Sequence, residues 1–210
     1  MPRLALVLFA AWAGCLLVAR SIVHWRATGS TGIKGFHGRV GSLPWLAGAA
    51  ASAGLVLAPL APVAALCAWP GGELLLQSRG AHALGAALAV VGIAGALVAQ
   101  LAMGRSWRIG VDEREHTALV TSGPFAFVRN PIFTFMGVSQ AGFALLVPNA
   151  VGLGALALLA VGIELHVRFV EEPYLLRTHG DAYARYAAST GRFLPGIGRA
   201  LAARSDDHAA

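Results

Sequence analysis

The stretch TALVTSGPFAFVRNPIF, residues 117–133, determines the predicted fold. It lies between two apolar runs and combines a Gly-Pro turn, two phenylalanines separated by one residue, and an Arg-Asn-Pro step. Pro131 favours the first turn of a helix, because a residue at that position needs no intrahelical N–H hydrogen bond. The sequence therefore predicts a polar loop held at the start of an apolar helix.

A second polar stretch, VRFVEEPYLLRTHGDAYARYAASTGRFLP, covers residues 167–195 and follows the last apolar run. Glu171 and Glu172 come directly after that run, close to Arg168, and charged groups at such a depth are costly and commonly functional. Gly180 is typical of a helix end. We expect the two polar stretches to fold together into one cofactor site.

The composition indicates an integral membrane protein. Of 210 residues, 57% are hydrophobic and only 12% are charged, which is too little charge for the surface of a soluble domain of this length. The net charge is +6, but the basic residues do not form a patch interleaved with aromatic residues, so we expect no nucleic-acid partner. We predict one all-α, multi-pass domain over residues 1–204, followed by a disordered tail over 205–210.

Five apolar segments are close to the length of a membrane helix, about 20 residues. They are residues 4–23, 43–69, 81–103, 132–147 and 149–170. Pro59 and Pro62 predict a kink or a break in the second segment. Only Pro148 and Asn149 separate the last two, which predicts a helical hairpin. Runs rich in Gly and Ala within the spans predict close helix packing.

The basic residues predict the orientation. With the N-terminus outside, only Arg3 and Arg79 lie outside, so 14 of the 16 Lys and Arg residues face the cytoplasm. Both polar stretches then face the cytoplasm, as expected for a bacterial-type inner membrane protein. Lys34 and Arg39 are expected to contact anionic lipid head groups.

The end of the fifth segment carries a cluster of charges at helical spacing. Glu164, Arg168 and Glu171 are four and three residues apart, which places them on one face of a regular helix, with Glu172 four residues beyond Arg168. Such a cluster can hold a ligand with both cationic and anionic groups. A salt-bridged helix end without a ligand is the alternative, and spacing alone does not separate the two.

The run LVTSGPFAFVRNP, followed by EEPYLLRTHGDAYARYAASTGRFLP, resembles the isoprenylcysteine carboxyl methyltransferase family and the related phospholipid N-methyltransferases. The family pattern has a Gly-Pro-aromatic turn, an Arg-His-Pro step, a short helical hairpin, a Glu-Glu pair and two spaced tyrosines. The resemblance covers residues 85–195. It implies a membrane methyltransferase that binds S-adenosyl-L-methionine between the loop before the fourth helix and the end of the fifth.

The resemblance implies the contacts with the cofactor, and the chemistry of methyl transfer suggests the roles of Arg168, Glu164 and Glu172. Glu171 is expected to meet the cationic amino group of the cofactor. Arg168 is expected to position a carboxylate acceptor, whereas Glu164 or Glu172 would take a proton from an amine acceptor. No metal is expected. The residues expected to contact the cofactor are Thr117, Ala118, Leu119, Val120, Phe125, Arg129, Asn130, Pro131, Ile132, Phe133 and Glu171.

The sequence departs from the family pattern at three of these positions. Asn130 replaces the usual His, and it keeps a hydrogen-bond donor and an acceptor but does not titrate. Phe125 and Phe133 replace tyrosines, so they keep apolar walls and lose a hydroxyl. The adjacent stretch 104–115 offers Arg108 and two neighbours, Arg105 and Asp112, either as further ligand contacts or as part of a solvated loop.

The predicted activity is methyl transfer to a lipophilic acceptor that enters from the bilayer, so membrane lipids and a lipophilic or lipidated substrate are the expected partners. Carboxyl O-methylation is placed ahead of amine N-methylation and thiol S-methylation. An NADPH-dependent membrane reductase of the sterol type and a non-catalytic membrane protein are the alternatives from other classes.

Overall fold

A computed structural model gives the fold, and it describes residues 1–33, 35, 37–76, 78–109 and 118–200, except for the side chain of Arg105. Within these residues the chain is helical and forms no β-strand, which confirms the predicted all-α class. The expected tail at 205–210, and Thr117 and Asp112, lie outside the described residues.

Eight α-helices follow one another in the described part of the chain. They are α1 (Pro2–Ala13), α2 (Arg20–Thr28), α3 (Leu43–Leu57), α4 (Leu60–Leu66), α5 (Arg79–Met103), α6 (Pro131–Leu146), α7 (Ala150–His166) and α8 (Glu172–Ser189). A π-helical turn, Gly14–Ala19, joins α1 to α2, and a second, Val167–Glu171, joins α7 to α8. The chain breaks between α3 and α4 next to Pro59, as predicted.

Four of the described helical segments are long and apolar enough to cross a membrane: Pro2–Thr28, Leu43–Leu66, Arg79–Met103 and Ala150–Ser189. The predicted fourth span, α6, is an apolar helix of 16 residues and is shorter than these. The chain is therefore an integral membrane protein with several spans.

Local sequence signals explain where the helices begin and bend. Pro131 lies in the first turn of α6, as predicted. Asn149 caps α7 by accepting a 2.8 Å hydrogen bond from the N–H of Gly152, while its side-chain amide donates to the carbonyl of Ala61 at 2.8 Å. Gly180 has a φ of 50° and bends α8, which then continues to Ser189. The backbone at Gly180 is therefore not helical, and the predicted helix end at this glycine is confirmed, with a second helical part following it.

Small residues let the helices pack closely in two pairs, α5 against α6 and α3 against α7. A Cβ on Gly92 of α5 would lie 2.4 Å from the backbone nitrogen of Ser139 on α6. A Cβ on Gly162 of α7 would lie 2.3 Å from the backbone nitrogen of Ala51 on α3. Both distances are below van der Waals contact, so only glycine fits, and the predicted role of the small residues in packing is confirmed.

Candidate active site

A cavity of about 510 Å³ lies between the α3–α7 and α5–α6 helix pairs, the N-terminal helical segment Pro2–Thr28 and the two polar stretches. Its volume is within the range of about 300–1,000 Å³ that is usual for small-molecule sites. Ten of the residues predicted from the sequence line it: Ala118, Leu119, Val120, Phe125, Arg129, Asn130, Ile132, Phe133, Glu171 and Glu172.

Three predicted residues are not in the cavity lining. Pro131 is buried at the start of α6, next to the lining residues Asn130 and Ile132. Glu164 and Arg168 form an ion pair with each other outside the cavity, and the side chain of Arg168 is 52% exposed. The structure therefore does not bring Arg168 to the place where it was expected to hold an acceptor.

The π-helical turn Val167–Glu171 explains why Glu171 and Arg168 face different ways. A π-turn contains one residue more than an α-turn, so residues five apart come to share a face. Accordingly, His166 and Glu171 both line the cavity, with Nε2 of His166 3.5 Å from Oε1 of Glu171. A regular helix would have kept Glu171 on the face of Arg168.

Backbone and hydroxyl hydrogen bonds join the two polar stretches. The N–H of Arg129 donates to the carbonyl of Gly191 at 2.8 Å, and the hydroxyl of Thr134 donates to the carbonyl of Phe193 at 2.8 Å. On α8, the hydroxyl of Tyr186 donates to the carbonyl of Phe125 at 2.6 Å. The expectation that these stretches fold together is confirmed.

Glu172 is the centre of an ion-pair cluster that also joins the two polar stretches. Its Oε1 accepts hydrogen bonds of 2.7 Å from Arg129 and from Arg192, and its Oε2 accepts one of 2.9 Å from Arg192. The hydrogen bond to Glu172 raises the pKa of Arg192 above its ordinary value. Because guanidinium groups occupy both carboxylate oxygens, Glu172 is poorly suited to remove a proton from a substrate.

Arg129 and Asn130 also bind the C-terminal polar stretch through hydrogen bonds. Arg129 donates from Nη1 to the carbonyls of Ala187 and Thr190, at 2.9 and 2.6 Å. The side-chain amide of Asn130 donates to the carbonyl of Arg192 at 3.2 Å. The asparagine that replaces the family histidine therefore helps to hold the C-terminal segment beside the cavity.

The cavity extends from polar loops into the apolar part of the bundle. Leu159, Ile163, His166 and Glu171 line it in succession along α7 and the π-turn. Leu159 and Glu171 are twelve residues apart, which corresponds to roughly 18 Å along a helix. One end of the cavity is therefore polar, and the other lies between membrane helices.

Several lining residues were not predicted as site residues. Trp12 and Leu16 come from the N-terminal helical segment Pro2–Thr28, and Ala51 and Leu55 come from α3. No local signal marks them, because they reach the site only through packing with distant helices. In the 104–115 stretch, by contrast, the ligand-contact alternative had a visible signal, and Arg108 does line the cavity.

Comparison with known proteins adds the family. Residues 81–182 match the family model PEMT, described as phospholipid methyltransferase. The match covers just under half of the chain. The predicted family resemblance is thus confirmed, and the family indicates a membrane methyltransferase.

A curated relative matches about half of the chain. It is the nickel-cobalt-cadmium resistance protein NccN of Alcaligenes xylosoxydans xylosoxydans, 30% identical over 115 residues, which are 53% of this chain and 52% of that protein. No solved structure matches the chain significantly. In the described part of the chain, no group of three or more His, Cys, Asp or Glu side chains is placed to hold a metal ion.

The segment that matches the family model contains only part of the cavity wall. The loop residues 118–133 and Glu171 lie inside the matched segment, whereas Trp12, Leu16 and Ala51 precede it. Tyr183 and Tyr186 line the cavity just beyond its end. The N-terminal helices therefore complete a site that the family segment begins.

Proposed function

We propose that the chain is an S-adenosylmethionine-dependent methyltransferase that acts on a lipophilic acceptor held in the membrane. The observation that carries this proposal is the single cavity that joins Glu171 and Asn130 to an apolar chamber between α1, α3 and α7. A polar cofactor and a lipophilic acceptor need a cavity with one polar and one apolar end. The cofactor enters from water and the acceptor enters from the membrane, and the two must meet at the reacting position.

The residues at the polar end fit the proposed cofactor. Oε1 of Glu171 lies 3.5 Å from Nε2 of His166, and a carboxylate has enough lone pairs to accept further hydrogen bonds from an ammonium group. Nδ1 of His166 is buried and makes no hydrogen bond within the described residues, which leaves a polar atom for a ligand to satisfy. Phe125 and Phe133 supply aromatic walls for a ring or a sulfonium cation.

When bound, S-adenosylmethionine supplies an activated methyl group, whose transfer to a carboxylate makes a C–O bond, breaks the C–S bond and leaves the electron pair on sulfur. The residues of the chain bind, orient and exclude water. Buried side chains such as Trp107 and Tyr174 wall the polar end, and orientation of the two reactants in a dry site is the main source of acceleration.

Carboxyl O-methylation is the acceptor chemistry that we propose. A carboxylate acceptor needs no base. Of the two predicted bases, Glu172 is held by two arginines and Glu164 lies outside the cavity. Amine N-methylation is the second candidate, because His166 lines the cavity and can take a proton. Thiol S-methylation has no specific observation in its favour.

The proposed topology places the N-terminus outside and the polar end of the cavity in the cytoplasm. The first residue of α2 meets the end of α5 there, since Arg20 donates a 2.5 Å hydrogen bond to the carbonyl of Gly104. Arg129 and Arg192 lie at the same end of the cavity through their shared partner Glu172. Clustered basic residues at one end of the bundle favour the cytoplasmic side.

The acceptor chemistry is tested by labelling. Membranes that contain the protein are incubated with methyl-labelled S-adenosylmethionine, and the lipid fraction is treated with mild base. We expect a lipid-soluble label that is released as methanol, as from a methyl ester. A base-stable label in the lipid fraction would contradict O-methylation and favour the amine or thiol product.

A further inference from the structure

Arg108 is a cationic residue in the cavity wall that the proposed function has not used. Its guanidinium lies 5.1 Å from the centroid of the Tyr174 ring, a distance typical of a cation–π contact. Tyr174 is only 4% exposed and also lines the cavity. The ring thus holds a positive charge at the cavity wall through contact with its face.

The backbone around Arg108 is fixed by both of its neighbours. Trp107 is 1% exposed, and the guanidinium of Arg20 lies 4.8 Å from the centroid of its ring. The N–H of Ile109 donates a 2.7 Å hydrogen bond to the carbonyl of Gly32. A Cβ on Gly32 would lie 2.9 Å from the Trp107 ring, so the loop after α2 fits this tryptophan closely.

Two other basic side chains among the described residues that line the cavity have contacts of their own. Arg129 donates to Glu172 and to three backbone carbonyls, and His166 contacts Glu171. Arg168 lies outside the cavity, in an ion pair with Glu164. A guanidinium has five N–H donors, so Arg108 can bind an anion and keep other contacts.

We infer that Arg108 binds the carboxylate of the lipophilic acceptor, and that the N-terminal helix positions Arg108 through Trp107. The inference rests on the proposed methyl transfer. Arginine pairs with a carboxylate through two parallel hydrogen bonds, which orients the reacting oxygen as well as holding it. The acceptor chain then extends towards Leu16, Leu55 and Leu159 in the apolar chamber.

Arg20 is a positioning residue in this account. It is 5% exposed, it donates to the carbonyl of Gly104, and it lies over Trp107 at the point where α5 ends. Arg20 precedes the matched phospholipid methyltransferase segment, 81–182. The N-terminal helix would therefore influence the choice of acceptor without contacting the acceptor's carboxylate.

The test uses two matched probes, dodecanoate and dodecanol, whose binding to the purified protein in nanodiscs is measured with and without S-adenosylhomocysteine. The wild type should bind dodecanoate at least about 10-fold more tightly than dodecanol, the lower range for a charge-assisted hydrogen bond. Arg108→Gln should abolish this preference and Arg108→Lys should keep part of it. Arg185→Gln, an exposed arginine on α8, should leave it unchanged.

Several outcomes would overturn the assignment of Arg108. One is a wild type that does not prefer dodecanoate, and another is a preference that survives in Arg108→Gln. A large loss of S-adenosylhomocysteine affinity in Arg108→Gln would assign the residue to the carboxylate of the cofactor instead. If the wild type binds no S-adenosylhomocysteine, the proposed function fails, while the probe ratio measured without it still tests Arg108.

Arg20→Met tests the role of the N-terminal helix, with Arg26→Met on the exposed side of α2 as the matched control. The expected result is a several-fold smaller ratio of dodecanoate to dodecanol affinity in Arg20→Met, partly recovered in Arg20→Lys. A purely structural role would weaken both probes equally. An unchanged ratio in Arg20→Met would contradict the positioning role.

Discussion

Arg129 donates a 2.7 Å hydrogen bond to Glu172, and so links the loop before α6 to the first residue of α8. The side chain of Arg129 is only 2% exposed, and that of Glu172 is 20% exposed. Because Arg192 also pairs with Glu172, one carboxylate fixes both the loop and the C-terminal segment. Glu172 therefore stabilises the cavity wall, which is a structural role and not the catalytic role that was predicted for it.

Glu172→Gln should lower the stability of the protein. Removal of one partner from a fully buried ion pair costs about 3–5 kcal/mol, and because Glu172 is 20% exposed we expect a smaller loss here. We expect a clear fall in the thermal unfolding temperature in detergent. Glu73→Gln, which changes an exposed carboxylate in a loop, is the matched control and should leave that temperature unchanged. Equal stability of the two variants would contradict the structural role of Glu172.

Glu171→Gln should weaken cofactor binding without a comparable loss of stability. The carboxylate lines the cavity and is proposed to accept hydrogen bonds from the ammonium group of the cofactor. A charged hydrogen bond contributes about 1.5–3 kcal/mol, which corresponds to roughly 10- to 100-fold in affinity. Titration calorimetry with S-adenosylhomocysteine measures the effect. Wild-type affinity in the variant would remove Glu171 from the cofactor site.

Gly162→Ala should destabilise the packing of α7 on α3. The added Cβ would lie 2.3 Å from the backbone nitrogen of Ala51, and overpacking of this kind typically costs about 1–3 kcal/mol. Gly154→Ala lies on the same helix, where an added Cβ meets nothing within 4 Å. It should be neutral or slightly stabilising, since Ala favours helices over Gly. Thermal unfolding that does not separate the two variants would contradict the close α3–α7 contact.

The helical class and the meeting of the polar stretches could be predicted from the sequence because each has a local signal. Apolar runs of membrane length predict helices, and Pro131 marks the start of α6. Gly180 marks the boundary between the two helical parts of α8, because its positive φ is easily adopted only by glycine.

The orientation of the Glu164–Glu171 segment could not be predicted in the same way. Helical spacing of three and four assumes a regular α-helix, whereas the π-turn Val167–Glu171 inserts an extra residue in the turn. The contribution of Trp12 and Ala51 to the cavity was also invisible, because it depends on contacts between helices far apart in sequence. Charge spacing therefore placed Arg168 in a site that Glu171 reaches and Arg168 does not.

Arg168→Gln provides a direct comparison of the two interpretations. The sequence-based interpretation expects loss of turnover with retained cofactor affinity. The structure places the guanidinium outside the cavity, paired with Glu164, so we expect labelled methyl transfer to membranes to stay within about twofold of wild type, as is usual for exposed ion pairs. Loss of turnover in this variant would restore Arg168 to the acceptor site.

The most direct measurement is calorimetric titration of the purified protein in nanodiscs with S-adenosylhomocysteine and, separately, with NADPH. The account predicts saturable binding of one S-adenosylhomocysteine per chain, weakened in Glu171→Gln, and no heat of binding from NADPH. Saturable NADPH binding without S-adenosylhomocysteine binding would contradict the methyltransferase proposal and favour a membrane reductase.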